Sequence, residues 1–253
     1  MLVLGDSVDL KTVLHVVDVD RRLLESELAR FIVETVPAWA SILVHFDIDR
    51  IGPIDFGKRL DFFITNLESS GPLILDSRLV TLPVSYGGVF GPDLELVADA
   101  NGLSIEETIR RLAVATHFVG MISFIPGQAN CMWLEPELVL SAPKYVRPRT
   151  YTPEGTVGLG GSSTTIYSVP SPGGFQMVGR MPVPTYSPHP ILPAFEASPI
   201  LLRVGDRLRL RSIEREEYDV IVQSVREGTY RYEIEESRLT VDVGAQVASG
   251  DLP

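Results

Sequence analysis

The stretch from Arg147 to Arg180 holds the densest chemistry in the chain. Gly155, Gly158, Gly160, Gly161, Gly173 and Gly174 place six glycines in twenty residues. Glycine loses more backbone entropy on folding than any other residue, so such a cluster marks backbone that turns tightly or lies close against something. Amides exposed in this way form a nest for an anion or a carbonyl oxygen. Arg149 and Arg180 bracket the run, and a guanidinium grips carboxylates and phosphates through two parallel hydrogen bonds. The two arginines are therefore candidate oxyanion clamps around a glycine platform. Two alternatives stay open: the glycines are barrel corners, and the arginines pair internally with Asp or Glu. Tyr86-Gly87-Gly88 and Phe124-Ile125-Pro126-Gly127 offer further backbone turns.

Other signatures are missing. No GxGxxG opens a helix after a strand, and neither GxxxxGK[ST] nor HExxH occurs. His15, His45, His117 and His189 are scattered; His117, at the end of a helix and ahead of the Pro126-Gly127 turn, is the one with a catalytic claim. Cys131 lies between Asn130 and Met132-Trp133 and reads as a buried, inert thiol. One cysteine excludes an internal disulfide framework and a thiolate zinc cluster, and no metal site is expected. The balance of 22 basic and 33 acidic residues gives a net charge of −11, which argues against nucleic-acid and anionic-membrane partners. No run of eighteen apolar residues is present, and Met1 opens no leader pattern, so a soluble, cytoplasmic protein is expected.

The elements that must position this chemistry fall into two textures. Thr12 to Val17 is short and β-branched and reads as a strand. Leu24, Leu28, Phe31 and Ile32 mark a helix over Arg21–Glu34, stopped by Pro37. Ser41–Phe46 reads as a strand too continuously apolar to be half exposed, and Ile54–Leu67 as a second helix. Ser69-Ser70-Gly71-Pro72 is a linker, which sets a small α/β domain at 1–72 and a second domain at 73–253. There Leu79–Val84 is a strand, Gly91-Pro92-Asp93 opens a short helix, and Asn101-Gly102 closes it. Ser104 and Glu107 fit a capping box. Short β-like runs follow at 119–125, 164–169, 175–178, 200–204 and 207–210, as in a barrel or sandwich. A late helix is expected over Glu214–Arg226. Pro182–Pro199 carries six prolines and reads as a surface loop.

Taken in order, these segments resemble the carboxyltransferase subdomain C and D family, which includes kinase-A-inhibitor-like proteins, the 5-oxoprolinase B subunit, allophanate hydrolase subunit 1 and part of urea carboxylase. The likeness rests on Leu82-Pro83-Val84-Ser85-Tyr86-Gly87-Gly88, Phe90-Gly91-Pro92-Asp93-Leu94, Pro148-Arg149, Pro153 to Gly161, Ile166-Tyr167, Ser171 to Phe175, Gly179-Arg180 and Gly205-Asp206-Arg207-Leu208. Tyr151–Gly155 and Ile234-Glu235-Glu236 are more similar to the urea carboxylase branch. The resemblance implies an α+β chain: a small α/β domain followed by a cyclophilin-like β-barrel. It further implies a non-autonomous subunit of an ATP-dependent amidohydrolase or carboxyltransferase acting on a small lactam, amide or urea-like substrate. The implied partners are a homologous A–B subunit and a LamB-type subunit. ATP or carboxybiotin would serve the assembled complex, with no cofactor held tightly by this chain.

On this reading Arg149, Arg180 and His117 are the catalytic candidates. Tyr86, Gly87, Gly88, Phe124, Pro126, Gly160, Gly161, Tyr167, Gly173 and Gly174 are the substrate-binding ones, and a base would come from the partner. The family pattern Gly-Phe-x-Pro-Gly-Phe-x-Tyr is altered here to Ser123-Phe124-Ile125-Pro126-Gly127-Gln128-Ala129-Asn130. Two alternatives follow: a regulatory binding module using the Pro182–Pro199 loop, and a ligand-binding paralogue with lost catalysis.

Overall fold

A computed structural model describes residues 1–67 and 73–241. The chain divides into two compact units, Met1–Ser77 with the chain from Ser237, and Arg78–Glu236. The expected Ser69–Pro72 linker lies outside the described residues.

In the first unit, β1 (Leu2–Val3), β2 (Ile32–Pro37) and β3 (Ser41–Phe46) form an antiparallel sheet in the order β1-β3-β2, accompanied by α1 (Leu10–Glu25) and α2 (Pro53–Thr65). The expected strand at Thr12–Val17 is helical. Asp9 caps α1 by accepting from the Thr12 N–H at 2.8 Å, and Val13, Val16, Val19 and Leu23 make one fully buried stripe. Burial at helical spacing here outweighs β-propensity, which is a weak and context-dependent preference. The helix expected over Arg21–Glu34 ends instead at Glu25, where Ser26 accepts from the Leu28 N–H and starts a 3₁₀ turn over Glu27–Phe31. Ile42 packs with Val16 and Val19, and Phe46 stacks on Phe56 at 4.2 Å. The opposite sheet face is uncovered within this unit, so β3 is half exposed rather than buried, with Leu43 42% exposed.

The second unit holds β4 (Leu73–Tyr86) from Arg78 on, α3 (Leu94–Ala100), α4 (Ile105–Val114), β5 (Thr116–Ile122), β6 (Ala129–Trp133), β7 (Arg149–Thr152), β8 (Thr156–Gly160), β9 (Ser163–Ile166), β10 (Ser171–Gly173), β11 (Gln176–Arg180), β12 (Arg207–Ser212), α5 (Arg215–Arg226) and β13 (Glu233–Val241) as far as Glu236. Strands run β11-β8-β9-β6-β5-β12-β4, and pairing of β11 with β4 closes them into a seven-stranded barrel, with β13 added beyond β4. β12 lies parallel to β4. Alternate residues such as Val80, Leu82, Val84, Val157, Leu159, Leu208 and Leu210 fill the core, as the period-2 geometry of strands requires. The α+β class and the barrel expected from the sequence are both present.

Half of the expected capping box forms: Ser104 accepts from the Glu107 N–H, but the Glu107 carboxylate turns to Arg110 and Arg111. The Pro182–Pro199 segment is a loop, exposed at 188–191 but anchored in the core rather than lying wholly on the surface. Its prolines deny it regular strands, yet Val183, Thr185, Leu192 and Phe195 are buried. It is pinned by the Leu201 N–H on the Thr185 carbonyl and the Ser187 N–H on the Pro199 carbonyl. Among the described residues no helix is long and apolar enough to cross a membrane.

Two glycines test the packing with opposite signs. A Cβ on Gly91 would overlap the Val178 carbonyl, whereas nothing lies within 4 Å of one on Gly57, inside α2. Gly57→Ala is expected to stabilise by about 0.5–1 kcal/mol through helix propensity. Gly91→Ala is expected to destabilise, because backbone must move. Calorimetric melting of both variants checks this.

Candidate functional site

Strand β11 ends on Arg180, which pairs with Ser85 of β4 and Thr156 of β8. Its Nε donates to the Glu154 backbone carbonyl at 3.0 Å, and it makes no ion pair among the described residues. The rest of its fork is therefore available to a ligand. Its charge lies 6.0 Å from the centre of the Phe90 ring, which stacks on Tyr218 of α5 at 4.4 Å. Arg215 sits over the same two rings, at 4.5 Å from Phe90 and 5.5 Å from Tyr218. Burial pushes the Glu154 carboxyl above its ordinary range, with Arg180 partly opposing the shift. Gly88, at φ +53°, lies in the turn that leads to Phe90, and its N–H has no acceptor among the described residues. A half-buried acid and a guanidinium without a close ion pair thus lie beside each other, next to the Phe90 and Tyr218 rings. Such an arrangement can stabilise a developing oxyanion and exchange a proton.

The remaining candidates are dispersed, and most of the glycine platform is spent on structure. Gly87 donates to the Val178 carbonyl at 3.1 Å and Gly161 to Ala142 at 2.7 Å. Gly160 sits in β8, in the ladder to β9. Gly173 pairs with Arg149 between β10 and β7, and the Tyr167 hydroxyl occupies the space a Cβ would need there. Gly174 accepts from the Tyr145 N–H at 2.8 Å. The barrel-corner alternative therefore accounts for these residues, and the shared nest does not form.

Arg149 is likewise engaged internally. Its Nη2 lies 2.7 Å and 3.0 Å from the two Asp93 oxygens, and its charge sits 4.5 Å above the Tyr145 ring. Asp93 also accepts from the Met177 N–H at 2.7 Å and from the Tyr145 hydroxyl. This cluster staples α3 to β7 and β11, which leaves Arg180 as the arginine of the two without an ion pair among the described residues.

Tyr86 donates its hydroxyl to the Leu210 carbonyl at 3.0 Å, and Tyr167 is buried. Pro126 accepts from the Ser168 hydroxyl at 2.5 Å. Phe124 projects into solvent, 76% exposed, at φ +75°. His117 is fully buried in β5, with Nε2 3.2 Å from the Leu112 carbonyl and its ring edge-on to Trp133. No substrate reaches it. Burial holds its pKa down at about 4.

That depression fixes a pH dependence. The unfolded chain binds the proton near 6.5 and the folded chain only near 4, so the stabilisation is complete above 6.5 and is lost as pH falls toward 4. The loss amounts to about 3 kcal/mol at 1.36 kcal/mol per unit. Parent stability is expected to fall by that much more than that of His117→Gln between pH 6.5 and 4, as urea titrations at each pH would read.

Residues 1–195 match the carboxyltransferase domain, subdomain C and D. The chain belongs to this family. It is 33% identical over 195 residues to the B subunit of Bacillus subtilis 5-oxoprolinase, covering 74% of this chain and 78% of that one. It is 26% identical over 226 residues to urea amidolyase of Saccharomyces cerevisiae, covering 81% of this chain but 12% of that much longer one. The crystal structure of Kluyveromyces lactis urea carboxylase superposes with a TM-score of 0.81 at 23% identity, over 93% of this chain and 23% of that chain, which shows the shared fold.

Within this carboxyltransferase C–D scaffold, sequence reading missed Glu154, Arg215 and the Asp93 anchor. Glu154 carried a signal: it is the lone carboxylate in the run from Arg147 to Arg180. Nothing local could have brought Arg215, in α5, over Phe90.

Proposed function

We propose that the chain is a non-autonomous subunit of an ATP-dependent enzyme that opens a small lactam or amide, with the role of a 5-oxoprolinase B subunit. The observation that carries this reading is the Arg180 fork, without a close ion pair, beside the Glu154 carboxyl. Family membership and the B. subtilis relative, which this chain spans over 78% of its length, support the substrate class. Arg180 and the Gly88 amide would hold the carbonyl oxygen as it gains negative charge, and Glu154 would exchange the proton. No complete nucleophile–base pair stands at this wall, so the other reacting groups would come from a homologous A–B subunit and a LamB-type subunit. ATP would activate the substrate in the assembled complex; carboxybiotin would take its place if the urea-type branch applied.

The test is reconstitution with the companion subunits and assay of substrate-stimulated ATP hydrolysis with 5-oxoproline, then urea. Stimulation by 5-oxoproline only in the full assembly is expected. No stimulation by either compound in a stable complex would overturn the reading. A regulatory module using the Pro182–Pro199 loop has less to offer, because Val183, Leu192 and Phe195 of that segment belong to the barrel core and its longest exposed run, 188–191, is short.

A further inference from the structure

The small α/β unit carries a second arrangement, remote in sequence from the barrel chemistry. Two hollows, of about 540 and 580 Å³, share Lys58 and Arg59 on α2 as their common wall. They differ in chemistry. One is lined by Leu28, Phe62, Phe63 and Leu67, with Phe62 71% exposed. The other is lined by Phe31, Arg50 and the first turn of α2.

Three guanidiniums, those of Arg30, Arg50 and Arg59, gather 4.7, 6.0 and 5.9 Å from the centre of the Phe31 ring. Neither they nor Lys58 forms an ion pair among the described residues, and Arg50 Nη1 donates to the Arg30 carbonyl at 2.5 Å. Asp55 stands three and four residues before Lys58 and Arg59, the spacing that normally pairs charges on a helix, yet it forms no bridge to either. Gathering like charges is costly, and a concave surface with an excess of one sign concentrates counter-ions; here Arg50, Lys58 and Arg59 face the single carboxylate of Asp55. In a chain of net charge −11 this cationic hollow is the more telling. The first-turn amides of Ile54 and Asp55 add donors, since Gly52 caps α2 without a side chain. Glu27 lines the apolar hollow and Asp55 the other, and Asp47 and Asp49 stand near in sequence; these carboxylates temper the field.

We infer that these joined hollows bind a nucleoside phosphate, with the base against Phe62 and the phosphates held by Arg50, Lys58 and Arg59. A bare phosphate would leave the apolar half empty, and an apolar molecule would leave the cations unanswered. Asn66 adds a polar edge to the apolar half: its Nδ2 is bonded to the Phe62 carbonyl, which leaves its Oδ1 to accept from a base amine. The assignment rests on the small unit's residues and not on the Arg180 reading.

Calorimetric titration of the full chain with ADP, pyrophosphate and adenosine tests it. ADP is expected to bind saturably and more tightly than either fragment, with affinity falling as salt rises. The double variant Lys58→Gln/Arg59→Gln should weaken ADP at least tenfold. Phe62→Ala should weaken ADP while leaving pyrophosphate unchanged. All three side chains are exposed, so circular dichroism should confirm an intact fold. Arg180→Ala should bind ADP as the parent does, which separates this site from the barrel wall. Binding of ADP no tighter than pyrophosphate, an affinity indifferent to the double variant, or no saturation at millimolar ADP would each overturn the assignment.

Discussion

Arg180→Ala should lower turnover of the assembled complex by about 10²–10³-fold while leaving the barrel folded, the usual cost of deleting one preorganised oxyanion donor. The expectation follows from what the side chain is doing at rest. A single nitrogen is tied to the Glu154 carbonyl, which orients the fork, and among the described residues no carboxylate closes an ion pair with it, although the Glu154 carboxyl feels its charge. Truncation removes one hydrogen bond to the backbone of a partly exposed residue, so the folding penalty is expected to be about 1 kcal/mol. Because the charge it meets develops during reaction, the loss should fall on kcat with little change in KM. Arg180→Lys should recover only part, since an ammonium offers no planar fork.

Glu154 supplies a companion readout. Burial raises its pKa above the ordinary 4.5. The corresponding limb of the pH–rate profile should therefore lie above that value, and Glu154→Gln should abolish it. Unchanged kcat in Arg180→Ala, with a normal circular dichroism spectrum, would remove Arg180 from the mechanism and with it the proposed wall.

How far the sequence carried this result depended on the reach of each signal. Caps and closers are local, so Ser104 and Asn101-Gly102 marked helix ends that the structure retains, with Gly102 at positive φ. The spacing of short runs announced a barrel or a sandwich, and only the family resemblance chose the barrel. The first helix was not legible, because Val13, Val16 and Val19 are β-branched and their helical stripe is visible only once a sheet lies beneath them. Pro182–Pro199 misled for a related reason: proline content reports backbone irregularity, not exposure, and Leu192 and Phe195 between the prolines belong to the core. At the site, Arg180 was recognisable as a fork beside glycines. Whether Arg149 was free depended on Asp93, fifty-six residues upstream, and no periodicity reports such a pairing. The glycines announced close backbone approach correctly, but not whether a ligand or Tyr167 was what approached.

Asp206→Ala should cost about 3–5 kcal/mol of stability, the range measured when one member of a buried ion pair is removed. Asp206 accepts from Arg78 Nε at 2.9 Å and Nη2 at 2.5 Å, and from the Arg203 N–H at 2.7 Å. Arg78 Nη2 also donates to the Leu201 carbonyl at 2.8 Å. The two side chains are 12% and 4% exposed. They sit where β12 begins its parallel pairing with β4, which no hairpin turn joins, so the pair fixes a junction that sequence neighbours do not supply. Removing the carboxylate strands a guanidinium in a poorly solvated place and frees the Arg203 amide together. Asp206→Asn keeps an acceptor for that amide and should cost less. Replacing both partners, as in Arg78→Met/Asp206→Leu, should recover much of the loss, because the desolvation of two charges disappears with their attraction. Urea titration read by Trp133 fluorescence, in a Trp39→Phe background, follows the barrel unit selectively. A loss under about 1 kcal/mol for Asp206→Ala, the level of an exposed pair, would show that water reaches this junction and that β12 is held by its ladder and core side chains alone.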